Sequence, residues 1–179
     1  GLNYFKKIVE LEKKYAKPGQ TINNDLQTNG ILLDDDWCRF LKENNWLVGI
    51  SIDGPRDIHN AYRVTKNGKP TFDLVMNGIK LLKKYRVPFN TLTCVNRLNA
   101  RRPLDVYRFL RREVQSTYIQ FIPIVEYKGF ETTAPCSWDF SKLPIDGSPE
   151  STPGHPDSIV EAWSVDPDDY GYSLPKVFD

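Results

Sequence analysis

Residues 47–55 have the sequence LVGISIDGP, and this stretch decides how the neighbouring residues fold. Apolar residues alternate in it with small or polar ones, which is the pattern of a strand with one buried face. The apolar face carries Val48, Ile50 and Ile52, and the opposite face carries Gly49, Ser51 and Asp53. Gly54 and Pro55 then end the strand. We predict that one face packs on helices while the other lines a polar interior.

Helical and strand patterns alternate on both sides of this stretch, over residues 1–128. The predicted helices cover residues 3–16, 34–45, 71–85 and 103–112. The predicted strands cover residues 21–29, 47–55, 87–96 and 118–125. Strands that alternate with helices at this spacing pair in parallel through right-handed crossovers. The fold class is therefore α/β, and the architecture is a barrel, part of a barrel or a doubly wound sheet. In such folds the chemistry lies in loops at the carboxyl ends of strands, such as residues 53–63.

The composition changes after Glu126. Seven of the thirteen prolines lie between Pro135 and Pro175, among acidic residues and few aliphatic ones. We predict a Pro-rich, acidic surface loop or insertion over residues 129–165. Residues 166–179 begin like a helix, although Pro175 lies inside it.

The strand predicted at residues 21–29 is unusually polar. Asp25, Gln27 and Asn29 occupy alternate positions, so their side chains share one face. An edge position in the sheet would explain this composition, and so would a polar cavity lined by the three side chains. The sequence leaves both explanations open.

The composition excludes several classes of protein. The 179 residues are 40% hydrophobic with a net charge of +1, which suits a soluble globular unit. Without an apolar run of membrane-spanning length or a signal-peptide pattern, we expect a cytoplasmic protein with no membrane partner. The stripes and interleaved aromatic residues of nucleic-acid modules are missing, so we expect no nucleic acid. Cys38, Cys94 and Cys136 form no C-x-x-C pair, which predicts neither a disulfide framework nor a zinc site.

Several residues of the central stretch have an ordinary structural explanation as well as a functional one. Ser51 fits a strand serine bonded to the backbone, and Arg63 fits a surface arginine. Asp53 fits a turn-forming aspartate before Gly54. His59 is an acid or base by type, but we predict a structural role for it in the loop.

Motifs spread over residues 26–123 point beyond the fold class. They are LQTNG at residues 26–30, LVGISIDGP at residues 47–55 with Ile58, His59, Asn60 and Arg63 after it, and QFIP at residues 120–123. In this order and spacing they resemble the radical S-adenosylmethionine enzymes called anaerobic sulfatase-maturating enzymes, also known as arylsulfatase regulators. The resemblance covers about residues 1–128.

The resemblance implies a partial TIM-like (β/α)6 barrel, of which residues 1–128 are the central part and residues 166–179 the start of the next helix. Its strand-end loops would hold a [4Fe-4S] cluster and S-adenosylmethionine. The implied reaction oxidises a Ser or Cys of a sulfatase polypeptide to Cα-formylglycine, after a 5′-deoxyadenosyl radical takes a hydrogen atom from the target Cβ.

The resemblance also implies roles for individual residues. Ser51 matches a position that contacts the cofactor, and Arg63 matches the position that pairs with its methionyl carboxylate. Val125 matches a position whose backbone contacts the cofactor. Gln27, Asn29 and Asp53 would line the cavity. A guanidinium gives a bidentate grip on a carboxylate, and a hydroxyl orients a polar group without charge.

The cluster motif of this family, C-x-x-x-C-x-x-C, does not occur in the 179 residues. We expect it upstream of Gly1, together with a Gly-Gly-Glu-Pro motif, in an enzyme of which this chain is an internal part. The chain alone contains no metal ligands of this kind, and we expect it to be inactive. The alternatives are another peptide-modifying radical enzyme, or a non-catalytic binding or regulatory protein with a degenerate barrel.

Overall fold

The computed structural model describes residues 1–129 and 143–178 of the chain. The helices in these residues are α1 (Leu2–Tyr15), α2 (Asp35–Glu43), α3 (Arg56–Tyr62), α4 (Phe72–Lys84), α5 (Arg97–Ala100), α6 (Pro103–Arg112) and α7 (Pro167–Phe178). The strands are β1 (Asp25–Thr28), β2 (Leu47–Ser51), β3 (Phe89–Val95) and β4 (Ile119–Pro123). The predicted alternation of helices and strands is confirmed.

The strands form one parallel sheet whose spatial order, β1-β2-β3-β4, is also their order in the chain. A doubly wound sheet reverses its direction of growth at a switch point, whereas a barrel adds each strand on the same side of the last. Of the α/β architectures that the sequence left open, the described sheet therefore matches part of a TIM-like barrel.

The outer face of the sheet carries the hydrophobic core. Val48, Ile50 and Ile52 have no exposed surface, as the alternation in residues 47–55 predicted. They share one core cluster with fully buried leucines of the flanking helices, among them Leu41 of α2 and Leu110 of α6. Burial of each such side chain stabilises the fold by about 1.5–3 kcal/mol. The same burial fixes which side chains of β2 point inward.

Helix α4 packs closely on the loop that follows β1. A Cβ atom at Gly78 would lie 2.5 Å from the backbone oxygen of Gly30. No side chain can be accommodated at that distance without a shift of the backbone. Gly78 therefore sets how near α4 lies to the sheet.

Strand β1 lies at one edge of the described sheet. Asp25 and Gln27 are exposed, as is Asn29 just after the strand. This position in the described sheet agrees with an edge strand, and Asn29 also lines a depression that contains Arg63, which agrees with a cavity.

The segment from Asp53 to Arg63 differs from its prediction as a loop. Residues Arg56–Tyr62 form the seven-residue helix α3, with Ile58 and His59 buried. Residues Arg97–Ala100 form a second short helix, α5, that the sequence pattern did not indicate. Helices of one or two turns do not repeat their apolar positions often enough to produce a recognisable helical period.

The predicted loop at residues 129–165 is described at residue 129 and over residues 143–165, and residues 130–142 lie outside the described part. Residues 143–165 contain no helix or strand. They nevertheless pack on the end of β4, because Val165 N donates to the Ile124 oxygen (2.9 Å) and Lys128 N donates to the Ile159 oxygen (2.8 Å). The helix predicted after residue 166 is α7, and it contains Pro175.

Candidate functional site

On β1 and β2 the inner face of the sheet presents small and polar side chains. The strand register aligns Gln27 with Gly49, and Ser51 with Leu92. A Cβ atom at Gly49 would lie 2.9 Å from Leu92 Cδ1 and 3.3 Å from Gln27 Cγ. Because Gly49 has no side chain, Leu92 and Gln27 can approach each other across the inner face.

Asp53 and Arg63 form an ion pair at the carboxyl end of β2. Arg63 Nε donates to Asp53 Oδ2 at 2.5 Å, and Arg63 Nη2 donates to Asp53 Oδ1 at 3.0 Å. The carboxylate is 4% exposed and the guanidinium 25% exposed. Loss of one partner from such a buried pair leaves an uncompensated charge and costs about 3–5 kcal/mol. The pair therefore holds helix α3 and the end of β2 together.

Strand β3 and helix α5 fix the position of Asp53. The backbone N–H of Cys94 donates to Asp53 Oδ1 at 2.9 Å. The side-chain amide of Asn99 donates to the backbone oxygens of Asp53 (3.2 Å) and Cys94 (2.8 Å). Because neighbouring strands share these bonds, the carboxylate is oriented before any ligand binds.

His59 connects the backbone at both ends of the segment between Asp53 and Arg63. Its Nδ1 accepts a hydrogen bond from the Asp53 N–H (3.3 Å), and its Nε2 lies 3.2 Å from Thr71 Oγ1. Thr71 Oγ1 in turn donates to the Arg63 backbone oxygen at 2.7 Å. Because Nδ1 is an acceptor, the proton of the neutral ring is on Nε2, which donates to Thr71. The role predicted for His59 was structural, and this geometry agrees with it, although His59 lies in a helix rather than a loop.

Burial and charge set the protonation states of the site. Burial lowers the pKa of His59 to about 4, with the charge of Asp53 opposing and that of Arg63 assisting the shift. Burial alone would lower the pKa of Arg63, but the hydrogen bonds and charge of Asp53 leave that pKa above its usual value. Burial, and then the charge of Asp53, raises the pKa of the Cys94 thiol. At neutral pH the site holds a neutral imidazole, a cationic guanidinium and a thiol.

One edge of the Arg63 guanidinium is only weakly engaged by the described residues. Its Nε and Nη2 atoms bond Asp53, and Nη2 also lies 3.4 Å from Cys94 Sγ. Within residues 1–129 and 143–178, Nη1 has no hydrogen-bond partner. A guanidinium presents five donors in one plane, so the edge formed by Nη1 and Nη2 can take a second carboxylate if the weak thiol contact is displaced.

An open pocket of about 470 Å³ lies at the carboxyl ends of β2, β3 and β4. Its lining residues are Asp53, Ala61, Tyr62, Arg63, Cys94, Asn96, Ile124, Glu126 and Trp163. The volume is within the range of about 300–1,000 Å³ that is typical of small-molecule sites. The pocket joins the buried ion pair to solvent.

The structure brings some of the predicted site residues together at this pocket and leaves others outside its lining. Asp53 and Arg63 line the pocket, whereas Asn29 lines an adjoining depression that also contains Arg63. Gln27 and Ser51 lie on the inner face without being part of the pocket lining. Val125 is 60% exposed, and its neighbour Ile124 supplies the lining instead.

Glu126 and Trp163 are lining residues that the sequence did not indicate. Trp163 lies in the Pro-rich acidic segment, which has no periodic pattern from which its packing could be predicted. The indole Nε1–H donates to Glu126 Oε2 at 3.0 Å. A large aromatic residue among prolines and acidic residues is a signal that could have indicated a packing contact there.

The described residues offer no metal site. Within residues 1–129 and 143–178, no group of three or more His, Cys, Asp or Glu side chains could hold a metal ion. None of the helices in these described residues has the length and apolar composition of a membrane span.

Comparison with known proteins identifies the family to which this architecture belongs. The sequence model of the radical SAM superfamily matches residues 2–110. The chain belongs to the radical SAM superfamily. Enzymes of this superfamily use S-adenosylmethionine and a [4Fe-4S] cluster.

The chain is similar to curated radical SAM enzymes that mature sulfatases. It is 57% identical over 125 residues to the serine-type anaerobic sulfatase-maturating enzyme of Bacteroides thetaiotaomicron, covering 70% of this chain and 30% of that enzyme. It is 34% identical over 179 residues to the cysteine-type enzyme of Clostridium novyi, covering 100% of this chain and 41% of that enzyme. The chain thus spans less than half the length of these relatives.

Solved structures of one such enzyme have the same fold. Native anSMEcpe with bound AdoMet and Cp18Cys peptide superimposes with a TM-score of 0.78 at 34% identity, covering 100% of this chain and 42% of that one. Native anSMEcpe with bound AdoMet gives a TM-score of 0.76 at 35% identity, covering 100% of this chain and 41% of that one. The prediction of a radical SAM barrel is confirmed.

Proposed function

We propose that this chain forms part of an anaerobic sulfatase-maturating enzyme, a radical SAM oxidoreductase that converts a Ser or Cys of a sulfatase to Cα-formylglycine. Residues 1–128 are the central part of its barrel, and residues 166–179 begin its next helix. The observation that carries the proposal is the Asp53–Arg63 pair at the pocket, where the Nη1–Nη2 edge of the guanidinium makes only a weak contact with Cys94 among the described residues. Membership of the superfamily and the identity to named sulfatase-maturating enzymes support it.

The residues of the pocket fit S-adenosylmethionine. The Nη1–Nη2 edge of Arg63 is suited to the methionyl carboxylate, while Asp53 keeps the guanidinium in place. Ser51 ends β2 on the inner face, where its hydroxyl can orient a polar group of the ligand. Gln27 and Asn29 lie at the open edge of the same face, and we assign them to the cavity lining together with Asp53. We also assign a contact with the cofactor to the backbone of Val125, which follows the lining residue Ile124.

The [4Fe-4S] cluster does not fit the described residues. Cys38 is fully buried in the core cluster, and Cys94 lies at the pocket beside Arg63. The two thiols therefore face different surroundings and form no ligand set. No step of the reaction is assigned to a cluster ligand in this chain.

When bound, S-adenosylmethionine supplies the species that removes a hydrogen atom from the target side chain. The chain's own residues bind and orient this cofactor. Arg63 holds the carboxylate, and the hydrogen-bond chain through His59 and Thr71 keeps the Arg63 backbone at a fixed distance from Asp53. These residues would thereby hold the cofactor in one orientation toward the substrate, which is a sulfatase polypeptide in this proposal.

The proposal is tested by transferring this chain into a relative. The 179 residues replace the aligned segment of the Clostridium novyi enzyme, which supplies the remainder of the protein. We expect the purified, anaerobically reconstituted chimera to form formylglycine in a sulfatase-derived peptide, as detected by mass spectrometry. A chimera that folds and binds its cluster but modifies no sulfatase peptide would contradict the proposal, and modification of another peptide class would favour the alternative enzyme.

Two variants, Arg63→Lys and its control Arg56→Lys, test the role of Arg63 in binding the cofactor. Arg63→Lys keeps the charge that balances Asp53 but lacks the Nη1–Nη2 edge, so we expect binding of S-adenosylmethionine to weaken by about tenfold to a hundredfold. Arg56 is the matched control, because it forms a similar two-bond pair with Asp73 at 2.5 and 2.6 Å, outside the pocket. Arg56→Lys should leave the affinity unchanged. Equal affinities for the two variants would refute the role assigned to Arg63.

A further inference from the structure

Asn96 has a buried amide nitrogen that the described residues leave without a partner. The residue is 3% exposed and lines the pocket just after β3. Its Oδ1 accepts hydrogen bonds from Leu98 N at 2.9 Å and from Asn99 N at 3.1 Å, and these bonds cap helix α5. Because an atom that accepts two N–H groups must be the oxygen, the other terminal atom is the donor Nδ2. Among the described residues, Nδ2 has no hydrogen-bond partner.

The capping of α5 does not explain why residue 96 carries an amide. Ser and Asp cap helices about as well as Asn does, because a cap requires only an acceptor oxygen. In the described part of the chain, the side-chain polar atoms that are fully enclosed without a partner belong to Trp46 and Ser148. Nδ2 of Asn96 is not among them, so it retains an opening, and the space that Asn96 lines is the pocket. The amide is therefore available to an acceptor on a bound ligand.

An aliphatic and an aromatic residue are held on either side of Asn96. Ile124 N donates to the Val95 oxygen at 2.9 Å, and Arg97 N donates to the Trp163 oxygen at 3.0 Å. These bonds join Ile124 and Trp163 to the residues just before and just after Asn96, and both line the pocket. A single donor among apolar and aromatic lining residues is typical of a site for a flat, neutral ring system.

The pocket has a separate anchoring point for a charged group. Asp53 and Arg63 form their ion pair there, and Arg63 Nη2 lies 3.4 Å from Cys94 Sγ. Asn96 follows Cys94 by two residues, which corresponds to about 7 Å along an extended chain. The third charged lining residue, Glu126, already accepts the neighbouring indole N–H. The pocket thus combines a cation suited to a carboxylate with a neutral amide suited to a neutral acceptor.

We infer that Asn96 Nδ2 donates a hydrogen bond to the adenosine part of bound S-adenosylmethionine. The ammonium and sulfonium groups of the cofactor are cations and accept no hydrogen bond, so its acceptors are the carboxylate, the ribose oxygens and the adenine nitrogens. The proposed function assigns the carboxylate to Arg63, which leaves the ribose and the adenine for Asn96. The inference rests on that proposed function and adds a cofactor-binding residue to it.

The test titrates the two halves of the cofactor separately against the reconstituted chimera with the Clostridium novyi enzyme, which has the cluster ligands that this chain lacks. Methionine carries the carboxylate, and 5′-deoxyadenosine carries the ribose and the adenine. The Kd of each half is measured from its displacement of isotopically labelled S-adenosylmethionine in anaerobic equilibrium dialysis. Asn96→Ser keeps a hydroxyl that can cap α5 but removes the amide. We expect it to weaken the binding of 5′-deoxyadenosine by about threefold to tenfold and to leave that of methionine within about twofold.

Three further variants complete the comparison. Asn96→Gly removes the whole side chain at little cost to the cap, and it should weaken 5′-deoxyadenosine by a similar factor. Arg63→Lys should have the opposite pattern, with weaker methionine and unchanged 5′-deoxyadenosine. Asp34→Ser is the matched control, because Asp34 caps α2 through a 2.8 Å bond from Trp37 N and is not part of the pocket lining. It should leave both affinities unchanged.

The outcomes separate this inference from the proposed function. Unchanged 5′-deoxyadenosine affinity in Asn96→Ser and Asn96→Gly, with the effect of Arg63→Lys on methionine intact, would overturn the inference alone. An equal loss of methionine affinity in the Asn96 variants would also overturn it, because the amide would then serve the carboxylate. A chimera that shows the expected pattern but modifies no sulfatase peptide would contradict only the proposed function. Failure of the cluster-containing chimera to bind S-adenosylmethionine would overturn both proposals.

Discussion

The buried imidazole of His59 makes the stability of the fold depend on pH. His59 has no exposed surface, and its burial lowers its pKa to about 4. In the unfolded chain a histidine has a pKa of about 6.5. The unfolded state therefore takes up a proton first as the pH falls. The stability contributed by the neutral ring is complete above the unfolded pKa and is lost between about pH 6.5 and pH 4.

The size of this loss follows from the two pKa values. With a folded pKa of about 4, the linkage relation gives a loss of about 1.4 kcal/mol at pH ~5.5 and about 2.5 kcal/mol at pH ~4.5. The measurement at pH ~5.5 isolates the contribution of His59 better, because the carboxyl groups contribute less to the pH dependence there. Asp57 is among the carboxyl groups whose pKa the folded state lowers, through its bond to Arg102. The stability that such groups contribute is lost only as the pH falls toward and below their unfolded pKa of about 3.9.

Urea unfolding at pH ~8 and pH ~5.5, followed by circular dichroism, measures the effect in the wild type and in His59→Asn. The asparagine retains an acceptor for the Asp53 N–H but has no titratable group and does not reach Thr71. We expect it to be less stable by about 1–2 kcal/mol at pH ~8, and to show a pH dependence smaller by about 1.4 kcal/mol. An identical pH dependence in the two proteins would refute the assignment of a neutral, buried His59.

Two helical glycines should respond to alanine in opposite directions. Gly78→Ala places a Cβ 2.5 Å from the Gly30 oxygen and should lower the free energy of unfolding by about 1–3 kcal/mol. Gly171→Ala meets open space in α7 and should raise it by about 1 kcal/mol in the same urea assay; a loss of stability there would contradict the described helix. Burial raises the pKa of Cys38 to about 11 and also raises that of Cys94. At neutral pH, iodoacetamide should therefore alkylate both thiols more slowly than it alkylates the thiol of glutathione, as measured by peptide mapping. Rapid alkylation of Cys38 would show that the core is open.

The fold was predictable wherever the apolar pattern repeated several times. The alternation in residues 47–55 predicted which face of β2 is buried, and Pro103 marked the first residue of α6. Capping also predicted local structure, since Asp34 accepts a hydrogen bond from Trp37 N at the start of α2. Such signals are local and depend on few residues, so a single sequence is sufficient to reveal them.

The sequence predicted which residues belong to the site better than it predicted how their side chains contact one another. The sequence and its resemblance indicated Arg63 as a carboxylate ligand and Asp53 as a cavity residue, but neither indicated that the two side chains bond each other. That contact depends on helix α3, which is too short to produce a periodic signal. Trp163 was missed because its place in the pocket depends on hydrogen bonds to the distant residues Arg97 and Glu126. Contacts between segments far apart in sequence cannot be inferred from periodicity.

The residues that stabilise the Asp53–Arg63 segment are also the residues that would orient a ligand. His59 and Thr71 hold the backbone of Asp53 and Arg63, and Asp53 in turn holds the guanidinium. A ligand that engages Arg63 binds the folded state only, so it adds to stability by an amount that grows with its concentration relative to its Kd. Under the proposed function, we therefore expect loss of His59 to weaken ligand binding and folding through the same bonds. Under the proposed function, we expect Arg63→Lys to weaken binding through loss of the Nη1–Nη2 edge, while the charge balance that stabilises the fold is kept.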